Sequence, residues 1–232
     1  MKMLIWFSLI LFIALEQKIR ANECNQIPKK GSKNYVIGYG SLMEKESRIR
    51  TNKKAKKVKP LLIKNFKREW GQRSEFYKIT FLTLSEHAGS QLNAVYYPLS
   101  IKEIKKLDQR EKGYCRVLVK KKNISFYERR SNLTGKNFWV YSSSKNNVKY
   151  PDNKHPIVQS YVDIFLNGCF QIQDKFKIKE YAKTCITTTK GWSKNWINDR
   201  LYARRPFKTP NSYRIDKLLK QNFTYYLDNK IE

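Results

Sequence analysis

Between Tyr35 and Ser142 the chain reads as six short β-type runs and one well-signalled helix, and this alternation constrains the fold more than any other feature. The runs are Tyr35–Tyr39, Leu61–Trp70, Phe76–Ser85, Gln91–Leu99, Tyr114–Val119 and Phe138–Ser142, rich in β-branched and aromatic residues. In Phe76–Ser85 both alternating sets carry apolar or β-branched residues, as in a central strand covered on both faces. Ser100 and Glu103 form a capping box, Ile101, Ile104 and Leu107 follow at helical spacing, and Gly113 supplies the stop. The expected fold class is α+β: a small mixed β-barrel of about six strands.

After Pro156 the pattern turns helical. Val158, Tyr161, Val162, Phe165 and Leu166 mark an amphipathic helix ending at Gly168; a second is expected over Lys175–Ile186 and a third over Ser212–Leu227. No repeat or low-complexity linker separates the halves, so residues 151–232 are read as a helical extension packed on a domain spanning 35–150. Residues 22–34 form a lead-in loop. Glu44–Lys59 is almost wholly polar and basic and is expected to be a helix plus loop, or a mobile surface segment, with a solvated basic face.

At the N-terminus, Lys2 precedes the apolar run Leu4–Leu15, which is too short to span a bilayer, a task that needs about 20 residues. It has the length of a signal-peptide core, with cleavage expected after Ala21 and export as the consequence. No stable membrane insertion is expected afterwards. The four cysteines, Cys24, Cys115, Cys169 and Cys185, all lie beyond that point. They are read either as buried thiols or as two disulfides; three pairings are open, with Cys169–Cys185 favoured because both sit on successive helical segments. Three N-x-S/T sequons, at Asn123, Asn132 and Asn222, are about what chance supplies.

The net charge of +29 suggests a polyanion partner. Yet 35 of the 48 basic residues are Lys, and the chain is also rich in Asn, Ile, Tyr and Phe. These are the residues of A/T-rich codons, whereas nucleic-acid readers lean on Arg. A compositional origin and a functional polyanion site both fit, and no specific nucleic-acid partner is expected. Aromatic content of 14% and hydrophobic content of 41% exclude a disordered chain.

Two motifs carry chemistry. Val36-Ile37-Gly38-Tyr39-Gly40-Ser41-Leu42-Met43 is a strand end whose glycines permit a tight turn that converges backbone N–H groups. Leu107-Asp108-Gln109-Arg110-Glu111-Lys112-Gly113-Tyr114 places a carboxylate at a helix C-terminus, where the dipole disfavours its charge. Asp108 is read as a salt-bridge residue and Tyr114 as packing. Arg68 and Trp70 are read as structural or as cavity-lining. Together, and about 70 residues apart, the motifs resemble those of the γ-glutamylcyclotransferase-like superfamily, which includes ChaC-type and AIG2-like proteins. The resemblance covers roughly residues 35–142. It implies a cofactor- and metal-independent enzyme that cyclises a small γ-glutamyl peptide, amine or glutathione to 5-oxoproline. It also implies that Glu111 is the catalytic acid/base, with Tyr39, Gly40, Ser41 and Leu42 binding substrate. A non-catalytic ligand- or polyanion-binding protein on the same barrel is the alternative. Oligomeric state is left open.

Overall fold

The computed structural model describes residues 24–28, 31–127, 133–143, 145–228 and 230–231. The expected signal segment and the Asn132 sequon lie outside them. The main sheet comprises β1 (Lys33–Gly38), β2 (Lys59–Ser74), β3 (Ile79–Pro98), β4 (Cys115–Leu118), β5 (Ile124–Phe126) and β6 (Lys136–Ser142). Their order is β4-β6-β1-β3-β2-β5. Only β1 and β6 run parallel along this path; its other neighbours are antiparallel. The sheet curls into a half-barrel, the architecture the β-type runs suggest, but the runs Phe76–Ser85 and Gln91–Leu99 merge into β3 and the short β5 answers to none of them.

The β2–β3 hairpin dominates the sheet. Its pairing steps from Lys64–Gln91 to Phe66–Glu86, so His87–Ser90 bulge out to solvent. This bulge is the gap that makes β3 read as two strands in sequence. The expected start at Phe76 is displaced to Ile79 because residues 75–78 form the hairpin turn, with Lys78 left-handed at φ 51° and Phe76 exposed. Bulges let so long a hairpin bend around a core instead of lying flat.

Five helices complete the described residues: α1 (Lys45–Thr51), α2 (Ile101–Arg110), α3 (Gln159–Phe176), α4 (Tyr181–Thr187) and α5 (Ser212–Asn222). The capping box at Ser100 is formed, with Ser100 Oγ accepting from Glu103 N–H and the Glu103 carboxylate accepting from Ser100 N–H. Helix α1 keeps Lys45 and Arg50 exposed on the solvated basic face expected of it, but it also buries a second face. Glu44, Ser47 and Arg48 are buried, and Arg48 donates to the carbonyls of Leu42, Met43 and Ala55. These carbonyls, on the turn before α1 and the loop after it, draw the guanidinium inward.

Helix α3 is buried along most of its length and continues past the expected stop at Gly168. That glycine serves a close crossing. A Cβ there would lie 2.5 Å from the Glu44 backbone nitrogen and 2.6 Å from the Met43 carbonyl carbon. The expected second helix starts later, at Tyr181, because Lys177 and Glu180 both take left-handed backbone. After α4, the two-residue strand β8 (Thr189–Lys190) joins β2 in parallel. Beyond it, β7 (Ile157–Val158) and β9 (Trp196–Asn198) belong to a small parallel sheet. Disulfides link Cys169 to Cys185, between α3 and α4, and Cys24 to Cys115, tying the lead-in segment to β4.

Gly168→Ala is expected to destabilise the fold by about 3 kcal/mol, the upper range for overpacking, because backbone and not a flexible side chain must give way. Urea denaturation reads this as a lowered midpoint; an unchanged midpoint would mean that α3 can move off the Met43–Glu44 turn.

Candidate active site

The turn after β1 is held from several sides. Tyr39 Oη donates to the Tyr141 carbonyl at 2.7 Å, and the Tyr39 carbonyl accepts from Arg68 Nη1 at 3.1 Å. Leu42 is buried, and its carbonyl accepts from Arg48. The turn then tightens into a 3₁₀ segment, Ser41–Met43. At Gly40 a Cβ would stand 3.1 Å from the Tyr161 hydroxyl, so glycine lets α3 approach the turn closely.

Glu111 occupies the C-cap of α2, where its N–H donates to the Leu107 carbonyl at 2.9 Å. Its carboxylate pairs with Arg110 Nε at 3.1 Å, and its side chain is 15% exposed. Burial raises its pKa above the ordinary value of 4.5; the charges of Arg110 and Arg205 oppose this without overcoming it. Arg110 also donates to the Ser47 carbonyl, Ser47 Oγ, Thr51 Oγ1 and Ser41 Oγ, the last at 3.2 Å. One guanidinium therefore joins the acid, the β1 turn and α1.

Glu111, Arg110 and Ser41 line a single cavity of about 430 Å³, together with Tyr114, Tyr161 and Arg205. Gln72, Arg73, Ser74, Tyr77 and Phe81 form its wall on the β2–β3 hairpin side, and Lys112 borders it beside Glu111. Burial pushes Tyr161 up to about 12, helped by the nearby Glu111 charge, and holds Tyr114 well above the ordinary phenol range. Both phenols stay neutral at physiological pH, which leaves the carboxyl of Glu111 as the lining group able to accept a proton. Among the described residues, no cluster of three or more His, Cys, Asp or Glu converges as a metal site would.

Of the residues predicted from sequence, Ser41 and Glu111 face this cavity together. Tyr39 and Leu42 turn their side chains into the core, and Gly40 backs onto Tyr161. Asp108 pairs with Arg116 at 2.8 Å and accepts from Tyr141, the salt-bridge role expected of it. Tyr114 donates to the Leu82 carbonyl at 2.8 Å and also borders the cavity. Arg68 and Trp70 are fully buried, and neither lines the cavity. Trp70 packs edge-on against Tyr161 from behind. Sequence reasoning overlooked Arg110, Tyr161 and Arg205. Arg110 stood inside the quoted motif, and its adjacency to Glu111 was the available signal; the other two carry no local mark.

A solved γ-glutamyl cyclotransferase superposes on this chain with a TM-score of 0.52, at 16% identity, over 82% of this chain and 99% of its own. The chain has the γ-glutamyl cyclotransferase-like fold. An uncharacterized Homo sapiens protein aligns at a TM-score of 0.48 and 16% identity, over 82% of this chain and 99% of its own. A yeast γ-glutamyl cyclotransferase specific to glutathione aligns at 0.43 and 15%, over 68% and 96%. No family model and no curated protein matches the sequence. In this γ-glutamyl cyclotransferase-like fold, the cavity opens beside the turn after β1, and α2 delivers Glu111 to it.

The raised pKa of Glu111 makes a stability prediction. The folded state binds this proton more tightly than the unfolded state, so its contribution is present at low pH and is lost as pH rises through the folded pKa. Glu111→Gln removes that loss. Relative to the wild type, the variant is expected to be more stable at pH 7 than at pH 4, as measured by paired urea titrations; a difference independent of pH would contradict the raised pKa.

Proposed function

We propose that the protein cleaves a γ-glutamyl amide by internal cyclisation, releasing 5-oxoproline and the amine-bearing leaving group. The observation that carries this reading is that Glu111, a half-buried acid with a raised pKa, shares one cavity with Ser41 of the β1 turn. The superposable fold is consistent with it.

The chemistry suits the groups present. Nucleophile and electrophile lie in one molecule, so the protein has mainly to fold the substrate into a reactive shape. The α-amine arrives protonated. Glu111 takes a proton, the freed nitrogen attacks the γ-carbonyl, and a five-membered ring closes. Negative charge then develops on the carbonyl oxygen, which polar groups at the Ser41 turn stabilise, the Ser41 hydroxyl being aimed by Arg110. Glu111 returns its proton to the amide nitrogen as the C–N bond breaks; the ring nitrogen then gives up its second proton to the same carboxylate, and the released amine takes that proton up and departs as an ammonium. A carboxyl with an elevated pKa is suited to both halves of this transfer near neutral pH.

Glu111→Gln is expected to lower kcat for 5-oxoproline release by about 10³-fold while leaving the protein folded. In the wild type, kcat/KM should fall on acidification around a midpoint above 4.5, because the base must be ionised and its pKa is raised. A folded protein that turns over no γ-glutamyl peptide, amine or glutathione would refute the reading.

We also propose that the protein is exported. The Lys2-plus-apolar start supports this, as does the pairing of all four cysteines, which suits an oxidising compartment. N-terminal sequencing of the protein recovered from its host should begin at Asn22; an intact Met1 would overturn the proposal.

A further inference from the structure

The cavity's cations differ in how fully they are engaged. Arg110 is committed to Glu111, Ser41, Ser47 and Thr51. Arg73 is committed to Asp152 at 2.7 Å and to the Tyr150 carbonyl. Lys112 is exposed. Arg205 stands apart. Its guanidinium lies 4.8 Å from the Tyr77 ring centroid and 5.6 Å from that of Phe81, and its Nε is buried with no hydrogen-bond partner.

The backbone beneath Arg205 is firmly held. The fully buried Asp199 carboxylate accepts from Ser160 N–H at 2.7 Å, Ser160 Oγ at 2.6 Å and Arg204 N–H at 2.9 Å. Arg205 N–H in turn donates to Ser160 Oγ at 3.1 Å. The C-terminal segment is thus clamped to the start of α3, and Arg205 is presented to the cavity against two aromatic rings. A buried, unpaired guanidinium donor is costly. A planar anion entering the cavity would relieve that cost, and a carboxylate fits the guanidinium fork best.

We propose that Arg205 is a specificity-determining residue that selects γ-glutamyl compounds whose leaving group carries a carboxylate. The proposal rests on the cyclisation reading above. In that reaction the α-amine must reach Glu111, and the α-carboxylate shares the amine's carbon; the cation hydrogen-bonded into that corner is Arg110. Arg205 sits with Tyr77 and Phe81 on the hairpin side, where the other end of the substrate would lie. It therefore meets the leaving group, favouring amino acids and peptides with a free C-terminus over simple amines.

The test compares γ-glutamylalanine with γ-glutamylalaninamide, which differ only in that terminal charge. The wild type is expected to favour the acid in kcat/KM by about tenfold or more, the scale of one charge-assisted hydrogen bond. Arg205→Met keeps the apolar stem against the rings and should bring the acid-to-amide ratio near one; Arg205→Lys should retain part of the preference. A thermal melt of each variant establishes that it folds. Absence of a preference in the wild type, or an equal loss for both substrates in Arg205→Met, would overturn the proposal. The equal loss would place Arg205 on the α-carboxylate or in a structural role. If the wild type turns over neither compound, the wider panel of γ-glutamyl peptides, amines and glutathione decides the cyclisation reading separately, and calorimetry on the same pair still decides the role of Arg205. Tighter binding of the acid that disappears in Arg205→Met supports it; equal affinities, or no binding of either, overturn it.

Discussion

Arg68 lies fully buried on β2, and its guanidinium donates to acceptors on four different parts of the chain. It reaches the Tyr39 carbonyl in the β1 turn, the Asn93 carbonyl and side chain on β3, the Cys185 carbonyl near the end of α4, and the hydroxyls of Thr188 and Thr189 at β8. These acceptors are neutral, and burial draws the pKa down to about 10, which still leaves the group charged at physiological pH. The carbonyl end of α4 is the favourable end of a helix for a cation, and the Phe165 ring lies 4.8 Å away. The barrel, the turn and the C-terminal helices therefore meet at one charge. A neutral replacement would leave several buried acceptors unpaired together, and such groups are expensive to strand.

The candidate site depends on this anchoring. With Tyr39 and Leu42 turned inward and tied down, Ser41 is left facing the cavity. Tyr161 and Gly168 of α3 back the same turn, so the helix that fills the core also sets the cavity's depth. At Glu111 two effects compete. The guanidinium groups of Arg110 and Arg205 favour the carboxylate, burial favours the acid, and burial wins. An acid held in that balance is useful for a proton that must be taken and then returned.

Charge divides differently from what composition suggests. Arg48, Arg68 and Arg116 are all buried and serve as internal staples. The lysines of α2 and of the Lys53–Lys57 stretch are predominantly exposed. The net charge of +29 thus combines a solvated lysine surface with arginines that hold elements together. Composition pools the two kinds and cannot separate them, because the positions of the acceptors in the folded chain decide where an arginine points inward.

The short-range features were legible in the sequence. The Ser100–Glu103 capping box, the glycine-bounded β1 turn, the alternation of the strands and the position of Glu111 at a helix end each depend on residues a few positions apart. The bulge in β3 and the extension of α3 through Gly168 do not, because each answers a contact with a distant part of the chain. The same division runs through the site. By itself the sequence determined the turn and the acid, since local backbone preferences and helix capping encode both. Only the tertiary structure decided that they share a cavity with Tyr161 and Arg205, because long-range packing and the Asp199 clamp bring those side chains in, and no local periodicity records either.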